Sequence, residues 1–213
     1  MTATNFDYFY FDDPHGVLRG YQPGRQGYIN PFGRPYSWQA FLRRFFRIKG
    51  LRPQPDWTFL DIGCAKGYMV EALVGMGFAG ARGIDASAYA IAHAPPSVRR
   101  KLRRLDVTAL RPRPRYDVVF CLSSLQYLSE EQVLDLLPRL IACTRRYLHI
   151  ETIESRVEIA AGDDRSQLVR PYRWWKRELS QAAASRRLPV RVRRSPTGNF
   201  YGPAISVWRK QDK

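Results

Sequence analysis

Short apolar runs alternate with helical stretches along most of the chain, a pattern typical of α/β proteins. The apolar runs predict strands at about residues 57–62, 80–84, 101–106, 116–122 and 146–151, with a closing pair near 189–194 and 203–209. Helical periodicity predicts helices at about 37–49, 66–76, 87–93, 129–144 and 172–184. Because no helix separates the last two strands, we expect a doubly wound α/β fold whose mostly parallel seven-stranded sheet ends in an antiparallel strand.

A glycine turn joins the first predicted strand to the helix at 66–76 and reads Asp61-Ile-Gly63-Cys-Ala65-Lys-Gly67. Glycines that turn a strand into a helix usually form a ligand site. A triphosphate loop is excluded because the lysine precedes Gly67 and no Ser or Thr follows. The dinucleotide fingerprint lacks its second glycine, although Asp85 lies about 20 residues on, at the distance from which a carboxylate reaches ribose hydroxyls. The nicotinamide alternative is therefore weakened but stays open.

Four motifs in order resemble the class I S-adenosylmethionine-dependent methyltransferases, and the resemblance extends over roughly residues 57–150. The glycine turn, followed by Val70-Glu71-Ala72-Leu73, is similar to a GCAKG subgroup of that family. The other motifs are GIDASAYAI at 83–91, Leu-Asp-Val at 105–107 and YDVVFCLSSLQYL at 116–128. The resemblance implies S-adenosyl-L-methionine as cofactor, a Rossmann-like fold and methyltransferase activity.

The same resemblance assigns roles to residues at the ends of the predicted strands. Asp61 and the glycine turn would hold the methionine portion of the cofactor, and Asp85 would accept hydrogen bonds from the ribose hydroxyls. Asp106 would accept from the adenine amino group, beside the backbone N–H of Val107. The full set of predicted cofactor contacts is Asp61, Gly63, Cys64, Ala65, Gly67, Asp85, Ala86, Asp106, Val107 and Cys121.

The chain departs from the family where relatives often carry histidines. The loop after the fourth strand reads Ser-Ser-Leu-Gln-Tyr-Leu at 123–128, and residues 163–166 before the Trp-Trp helix read Asp-Asp-Arg-Ser. Gln126 and Tyr127 are therefore the predicted catalytic residues, which would orient an acceptor by hydrogen bonds; the alternative is a loop that packs under the cofactor. His149 lies within a predicted buried strand and is expected to be a core residue. No metal site is predicted, because no CxxC occurs and the histidines are far apart.

The net charge is +16 and the pI is about 10.3, values that suit a polyanion partner such as nucleic acid. Of the 35 basic residues 29 are arginine, which equally fits a GC-rich coding bias. The densest basic segments, at 99–104, 111–115 and 186–194, begin before the predicted third, fourth and sixth strands. We therefore expect them at the amino ends of the strands, away from the ligand.

These patterns predict an enzyme that methylates oxygen or nitrogen of a small-molecule or sugar-like acceptor. Two alternatives remain: an RNA methyltransferase, and a non-catalytic protein that binds S-adenosylmethionine. Residues 1–50 are expected to form an N-terminal arm and helix that cover the pocket as a lid, and residues 51–213 the cofactor-binding methyltransferase domain. No signal-peptide pattern or spanning apolar run occurs, so a cytoplasmic location is expected.

Overall fold

The computed structural model describes residues 6–13, 37–113, 115–154, 168–195 and 204–209. Its seven-stranded sheet has the order β3-β2-β1-β4-β5-β7-β6. The strands are β1 (Thr58–Ile62), β2 (Gly80–Asp85), β3 (Leu102–Arg104), β4 (Tyr116–Leu122), β5 (Thr144–Glu151), β6 (Val190–Ser195) and β7 (Ala204–Arg209). The first five pair in parallel, and β7 runs antiparallel to both β5 and β6. The predicted sheet, with its reversed last strand, is confirmed.

Helices cover both faces of the sheet, as the alternating pattern predicts. They are α1 (Tyr8–Phe11), α2 (Trp38–Lys49), α3 (Tyr68–Gly75), α4 (Ala88–Ala92), α5 (Glu130–Cys143) and α6 (Tyr172–Ser185). Apolar side chains of α2 and α3 pack with one face of the central strands, and those of α5 and α6 pack with the other face. The core is thus two apolar layers with the sheet between them.

Capping residues stand at the ends of α2 and α5. The hydroxyl of Ser37 accepts a hydrogen bond from the N–H of Ala40 at 3.3 Å, and α2 ends at Gly50 in the left-handed region with φ 61°. Ser129 caps α5 and forms a reciprocal pair of hydrogen bonds with Gln132, at 3.2 and 2.9 Å. These caps fix where each helix begins or ends.

Asp117 ties together the amino ends of the three central strands. Its carboxylate accepts from the backbone N–H and the hydroxyl of Thr58, both at 2.9 Å, and from Nε of Arg146 at 3.0 Å. Arg145 adds an ion pair at 3.5 Å. Asp117 therefore stabilises the amino ends of these strands. The candidate ligand-binding residues lie at the opposite, carboxyl ends.

The third strand is shorter than its pattern predicts, three residues instead of about six, and part of the first basic segment lies within it. Leu102 is buried, whereas Arg103 and Arg104 are exposed because β3 is the edge strand of the sheet. Arg104 lies opposite Asp85 at the carboxyl end of β2. The expectation that this segment stays at the amino ends was wrong for these two arginines.

Some features of the sequence lie outside the described residues. They include the arm tyrosines Tyr21, Tyr28 and Tyr36, and the segment 163–166. Among the residues that the structure describes, no helix combines the length and apolar character that crossing a bilayer requires.

Candidate functional site

The turn after β1 is held against β2 by backbone hydrogen bonds. The N–H groups of Gly63 and Cys64 both donate to the carbonyl oxygen of Ile84, at 2.9 and 3.0 Å. Gly63 and Gly67 have φ values of 72° and 80°, and Ala65 between them has φ 49°. Three of the five residues in the turn thus have left-handed backbone conformations, which favour glycine over residues with a Cβ.

Space as well as backbone conformation requires both glycines of the turn. A Cβ at Gly63 would lie 2.5 Å from Cβ of Ser124, and one at Gly67 would lie 2.5 Å from Cδ1 of Leu102. The loop after β4 and the strand β3 therefore pack directly on the turn. The close packing explains why Gly63 and Gly67 stand at these positions.

Asp85 at the end of β2 holds the turn through its side chain. Its Oδ2 accepts from the backbone N–H of Ala65 at 2.7 Å, and its Oδ1 accepts from the N–H of Ser87 at 2.8 Å. Burial raises the pKa of this carboxyl, although the two N–H groups act in the opposite direction. The first of these hydrogen bonds stabilises the strained conformation of Ala65.

Asp61 lies in β1 beside this carboxylate and is only 5% exposed. Burial, and then the charge of Asp85, raise the pKa of Asp61 to about 8. Two carboxylates at neighbouring strand ends, one buried and one partly exposed, repel each other, so a cation placed between them would favour their charged forms. The arrangement is suited to a cationic group, such as the ammonium or sulfonium of an adenosyl amino acid.

Asp106 and Val107 follow β3 at the same edge of the sheet. Asp106 is exposed, and its Oδ1 accepts from the N–H and the hydroxyl of Thr108, at 2.9 and 2.8 Å. It therefore caps the single helical turn at 107–109. The N–H of Leu105 donates to the carbonyl of Asp85 at 2.8 Å, which joins this turn to the end of β2.

The remaining predicted cofactor contacts differ in how far they are exposed. Cys64 is buried at 4% exposure, while Ala65 and Ala86 are partly exposed. Cys121 is fully buried, and its thiol lies 3.1 Å from the hydroxyl of Ser124. A ligand contact at Cys121 would therefore involve the main chain, because the side chain belongs to the core.

The loop after β4 carries the two predicted catalytic residues, and three buried polar atoms without partners lie in this loop and just after β5. Gln126 is 2% exposed, and its Oε1 has no hydrogen-bond partner in the part of the chain that is described. The same holds for the hydroxyls of Ser123 and Thr152. Ser123 has φ 50°, and its N–H donates to the carbonyl of Glu151 at 3.0 Å. Unpaired polar groups at the carboxyl ends of β4 and β5 indicate a site completed by a polar ligand.

Residues 6–13, part of the predicted N-terminal arm, contact the glycine turn through the pair Asp12 and Lys66, which the sequence pattern did not reveal. The carboxylate of Asp12 pairs with Nζ of Lys66 and accepts from the hydroxyl of Tyr89 at 2.6 Å. Burial would raise the pKa of Asp12, but the hydrogen bonds from Lys66 and Tyr89 hold it below its ordinary value. Lys66 is itself buried, so its contact with this carboxylate is shielded from solvent.

Aromatic contacts extend the same segment to the predicted acceptor loop. The ring centroids of Phe6 and Tyr127 are 5.0 Å apart, and the hydroxyls of Tyr10 and Tyr127 are 3.3 Å apart. The hydroxyl of Ser87 donates to the carbonyl of Phe6 at 2.5 Å. Segment 6–13 therefore contacts three of the loops at the site, those after β1, β2 and β4.

His149 is a core residue, as its position in the sequence predicts. It is fully buried, with its ring 4.8 Å from that of Phe45, and neither ring nitrogen has a partner within the described ranges. Burial lowers the pKa of His149 to about 3, with a smaller contribution from Lys49. It stays neutral in the working range. Trp174 and Trp175 at the start of α6 are also buried in the core.

Residues 59–147 match the family model described as a methyltransferase domain. No curated protein sequence matches the chain significantly.

Three solved structures share the fold at low identity. Magnesium protoporphyrin IX methyltransferase from Synechocystis PCC 6803, with bound S-adenosylhomocysteine, is 16% identical over 81% of this chain and 80% of its own, with a TM-score of 0.59. A protein from the conversion of a disulfide bond into a thioacetal group during echinomycin biosynthesis is 18% identical over 96% and 90%, with a TM-score of 0.60. The small RNA methyltransferase HEN1 is 14% identical over 84% of this chain and 26% of its own, with a TM-score of 0.60.

The domain match spans the glycine turn, the carboxylates of Asp61 in β1 and Asp85 in β2, and the loop after β4. Residues 59–147 therefore carry a methyltransferase domain, and the seven-stranded sheet has the fold of the S-adenosylmethionine-dependent methyltransferases.

Proposed function

We propose that this protein transfers the methyl group of S-adenosylmethionine to oxygen or nitrogen of a small-molecule or sugar-like acceptor. The observation that carries the proposal is the pair of carboxylates beside the strained glycine turn, the buried Asp61 and the partly exposed Asp85. The pair favours a cationic ligand, and a tight turn lets that ligand lie against the main chain.

The residues present fit the cofactor. Asp61 would hold the cationic amino-acid portion with the turn, and Asp85 has lone pairs left for ribose hydroxyls beyond its two backbone hydrogen bonds. Asp106 would accept from the adenine amino group, since its Oδ2 makes no hydrogen bond among the described residues. When bound, the cofactor supplies a methyl group already activated by the positive charge on sulfur.

The acceptor would bind at the loop after β4. Gln126, Ser123 and Thr152 bury polar atoms without partners, and an acceptor that carries hydroxyl or amino groups would complete their hydrogen bonds. An apolar acceptor would leave them unpaired. This requirement favours a hydroxylated or amino acceptor over a hydrocarbon one.

The protein's contribution to the reaction would be orientation. Gln126 and Tyr127 would position the acceptor atom in line with the methyl group, and residues 6–13 would exclude water from above. His149 does not act as a base in this scheme, because it is packed among aromatic rings and stays neutral.

RNA methylation is the second candidate function. It is favoured by one observation, the exposed arginines of β3 next to Asp85. A non-catalytic role in cofactor binding is the third, because no described histidine reaches the site.

One assay separates the three functions. The full chain is incubated with S-adenosylmethionine labelled in the methyl group, against a metabolite extract and against total RNA, with calorimetry of cofactor binding in parallel. Label in a small molecule supports the first proposal, and label in RNA supports the second. Measurable binding with label in neither fraction supports the third. A Gln126→Ala variant should lose transfer while it keeps cofactor binding, and its matched control is Gln181→Ala on the exposed side of α6.

A further inference from the structure

We propose that the exposed edge of the sheet binds the phosphate backbone of single-stranded RNA. The surface, here called the arginine strip, consists of Arg99, Arg100, Arg103 and Arg104. All four side chains are exposed, on the helical turn before β3 and on β3 itself. Since β3 has a neighbour on one side only, nothing else in the sheet covers this edge.

Among the described residues, no carboxylate neutralises the charge of the strip. None of its four arginines forms an ion pair with any residue that the structure describes, whereas Arg139, Arg170 and Arg194 each pair with a carboxylate elsewhere. The stretch 86–116 contains a single carboxylate, Asp106. Against it stand eight basic residues, Arg99, Arg100, Lys101, Arg103, Arg104, Arg111, Arg113 and Arg115. An uncompensated row of guanidinium groups attracts a polyanion.

The side chains between the arginines favour a polyanion over a membrane surface. Val98 and Leu102 are buried, at 0% and 8% exposure, so the strip offers no apolar side chain for insertion into lipid. Guanidinium groups bind phosphates through two parallel hydrogen bonds. An edge strand also presents free backbone N–H and C=O groups, which suit the 2′-hydroxyl that RNA has and DNA lacks.

The strip ends at the rim of the methyl-transfer site. Arg104 lies opposite Asp85 in the pairing of β2 with β3, and its Nε donates to the carbonyl of Ala86 at 3.4 Å. A strand of RNA along the strip therefore leads to the carboxyl edge of the sheet. The inference adds a binding surface to the proposed function, and it does not require RNA to be the methyl acceptor.

The test measures fluorescence anisotropy of a labelled 20-nucleotide single-stranded RNA of mixed sequence with the full chain. The variant is Arg100→Gln with Arg103→Gln, because neither side chain makes a hydrogen bond within the described parts of the structure. The matched control is Arg43→Gln with Arg44→Gln on the exposed face of α2, which removes the same charge. We expect the strip variant to weaken RNA binding roughly tenfold and to reduce the salt slope by about 1.4. The control should change affinity less than twofold.

Several outcomes would overturn the proposal. If both double variants lost the same RNA affinity, net charge alone would explain the binding. If the strip variant kept its affinity, RNA would bind at another surface. DNA of the same sequence bound as tightly, or anionic phosphatidylglycerol vesicles bound in preference to RNA, would also contradict it. Calorimetry with S-adenosylhomocysteine tests the proposed function separately from RNA binding. Both double variants should bind S-adenosylhomocysteine as tightly as the unaltered chain does.

Discussion

Asp85 and Ala65 are 20 positions apart, and the carboxylate of the first holds the backbone N–H of the second at 2.7 Å. One side chain thus links the turn after β1 to the end of β2. Ala65 keeps a left-handed conformation, φ 49°, that is unfavourable for alanine. The residue predicted to bind ribose therefore also shapes the turn predicted to bind the methionine portion.

Replacement of Asp85 by alanine should therefore weaken cofactor binding by two routes. The variant loses a charged acceptor for the ribose hydroxyls and releases the N–H of Ala65. We expect affinity for S-adenosylhomocysteine to fall about tenfold or more in calorimetry. Asp135→Ala, at an exposed position on α5, removes the same charge and should leave affinity unchanged. Equal affinities for Asp85→Ala and the unaltered chain would contradict the predicted ribose contact.

Cofactor binding should release a proton near neutral pH. Burial and the charge of Asp85 raise the pKa of Asp61 to about 8, so Asp61 is largely protonated at pH 7 in the free protein. A cationic ligand favours the carboxylate, and affinity should therefore rise as the pH increases towards 8. Calorimetry in buffers of different ionisation enthalpy measures the release directly. The binding enthalpy of Asp61→Asn should not depend on the buffer. If the binding enthalpy of the unaltered chain were also independent of the buffer, the predicted contact between Asp61 and the cationic group would be contradicted.

Asp12 should control how long the cofactor stays bound. Asp12→Asn removes the carboxylate charge that contacts the buried ammonium of Lys66, so segment 6–13 should detach more readily. We expect dissociation of S-adenosylhomocysteine to accelerate about tenfold in stopped-flow measurements. Tyr89→Phe removes only one hydrogen bond to Asp12 and should have a smaller effect.

The same contact should weaken in acid. Because the folded-state pKa of Asp12 lies below its ordinary value, its contribution is complete above that value and is lost as the pH falls through the lowered pKa. A dissociation rate equal in Asp12→Asn and the unaltered chain would show that the segment does not retain the cofactor.

Alanine substitutions at Gly50 and Gly63 can distinguish the cost of backbone strain from the cost of a steric clash, because both glycines have similar positive φ values. Gly50→Ala, at φ 61°, has nothing within 4 Å of the added Cβ and should cost about 1–2 kcal/mol of stability. Gly63→Ala, at φ 72°, adds a Cβ that would lie 2.5 Å from Ser124, which should cost roughly 1–3 kcal/mol more. Urea unfolding of both variants measures the difference. Equal losses would mean that the turn and the loop after β4 are less closely packed than described.

Much of the fold was predictable because β4 is a mostly apolar run and β1 leads directly into a glycine turn. The predicted and observed bounds of β4 are both 116–122, since a buried parallel strand is a continuous apolar run. The edge strand β3 was less predictable, because two of its three residues are exposed arginines that carry no apolar signal.

The site was predictable only where a motif marks it. Asp61 and Asp85 follow from the resemblance, but the contact between Asp85 and Ala65 depends on the register of β1 with β2. The pairing of Asp12 with Lys66 joins positions 54 residues apart, and no periodicity in residues 6–13 indicates it. Charge pairing between distant segments becomes visible only when the chain is folded.

A crystal structure of the full chain with S-adenosylhomocysteine tests the central claim most directly. The account predicts ribose hydroxyls within hydrogen-bond distance of Asp85 and the amino-acid portion at Asp61 and the turn 63–67. A ligand bound elsewhere, or in this cleft without contact to either carboxylate, would contradict it.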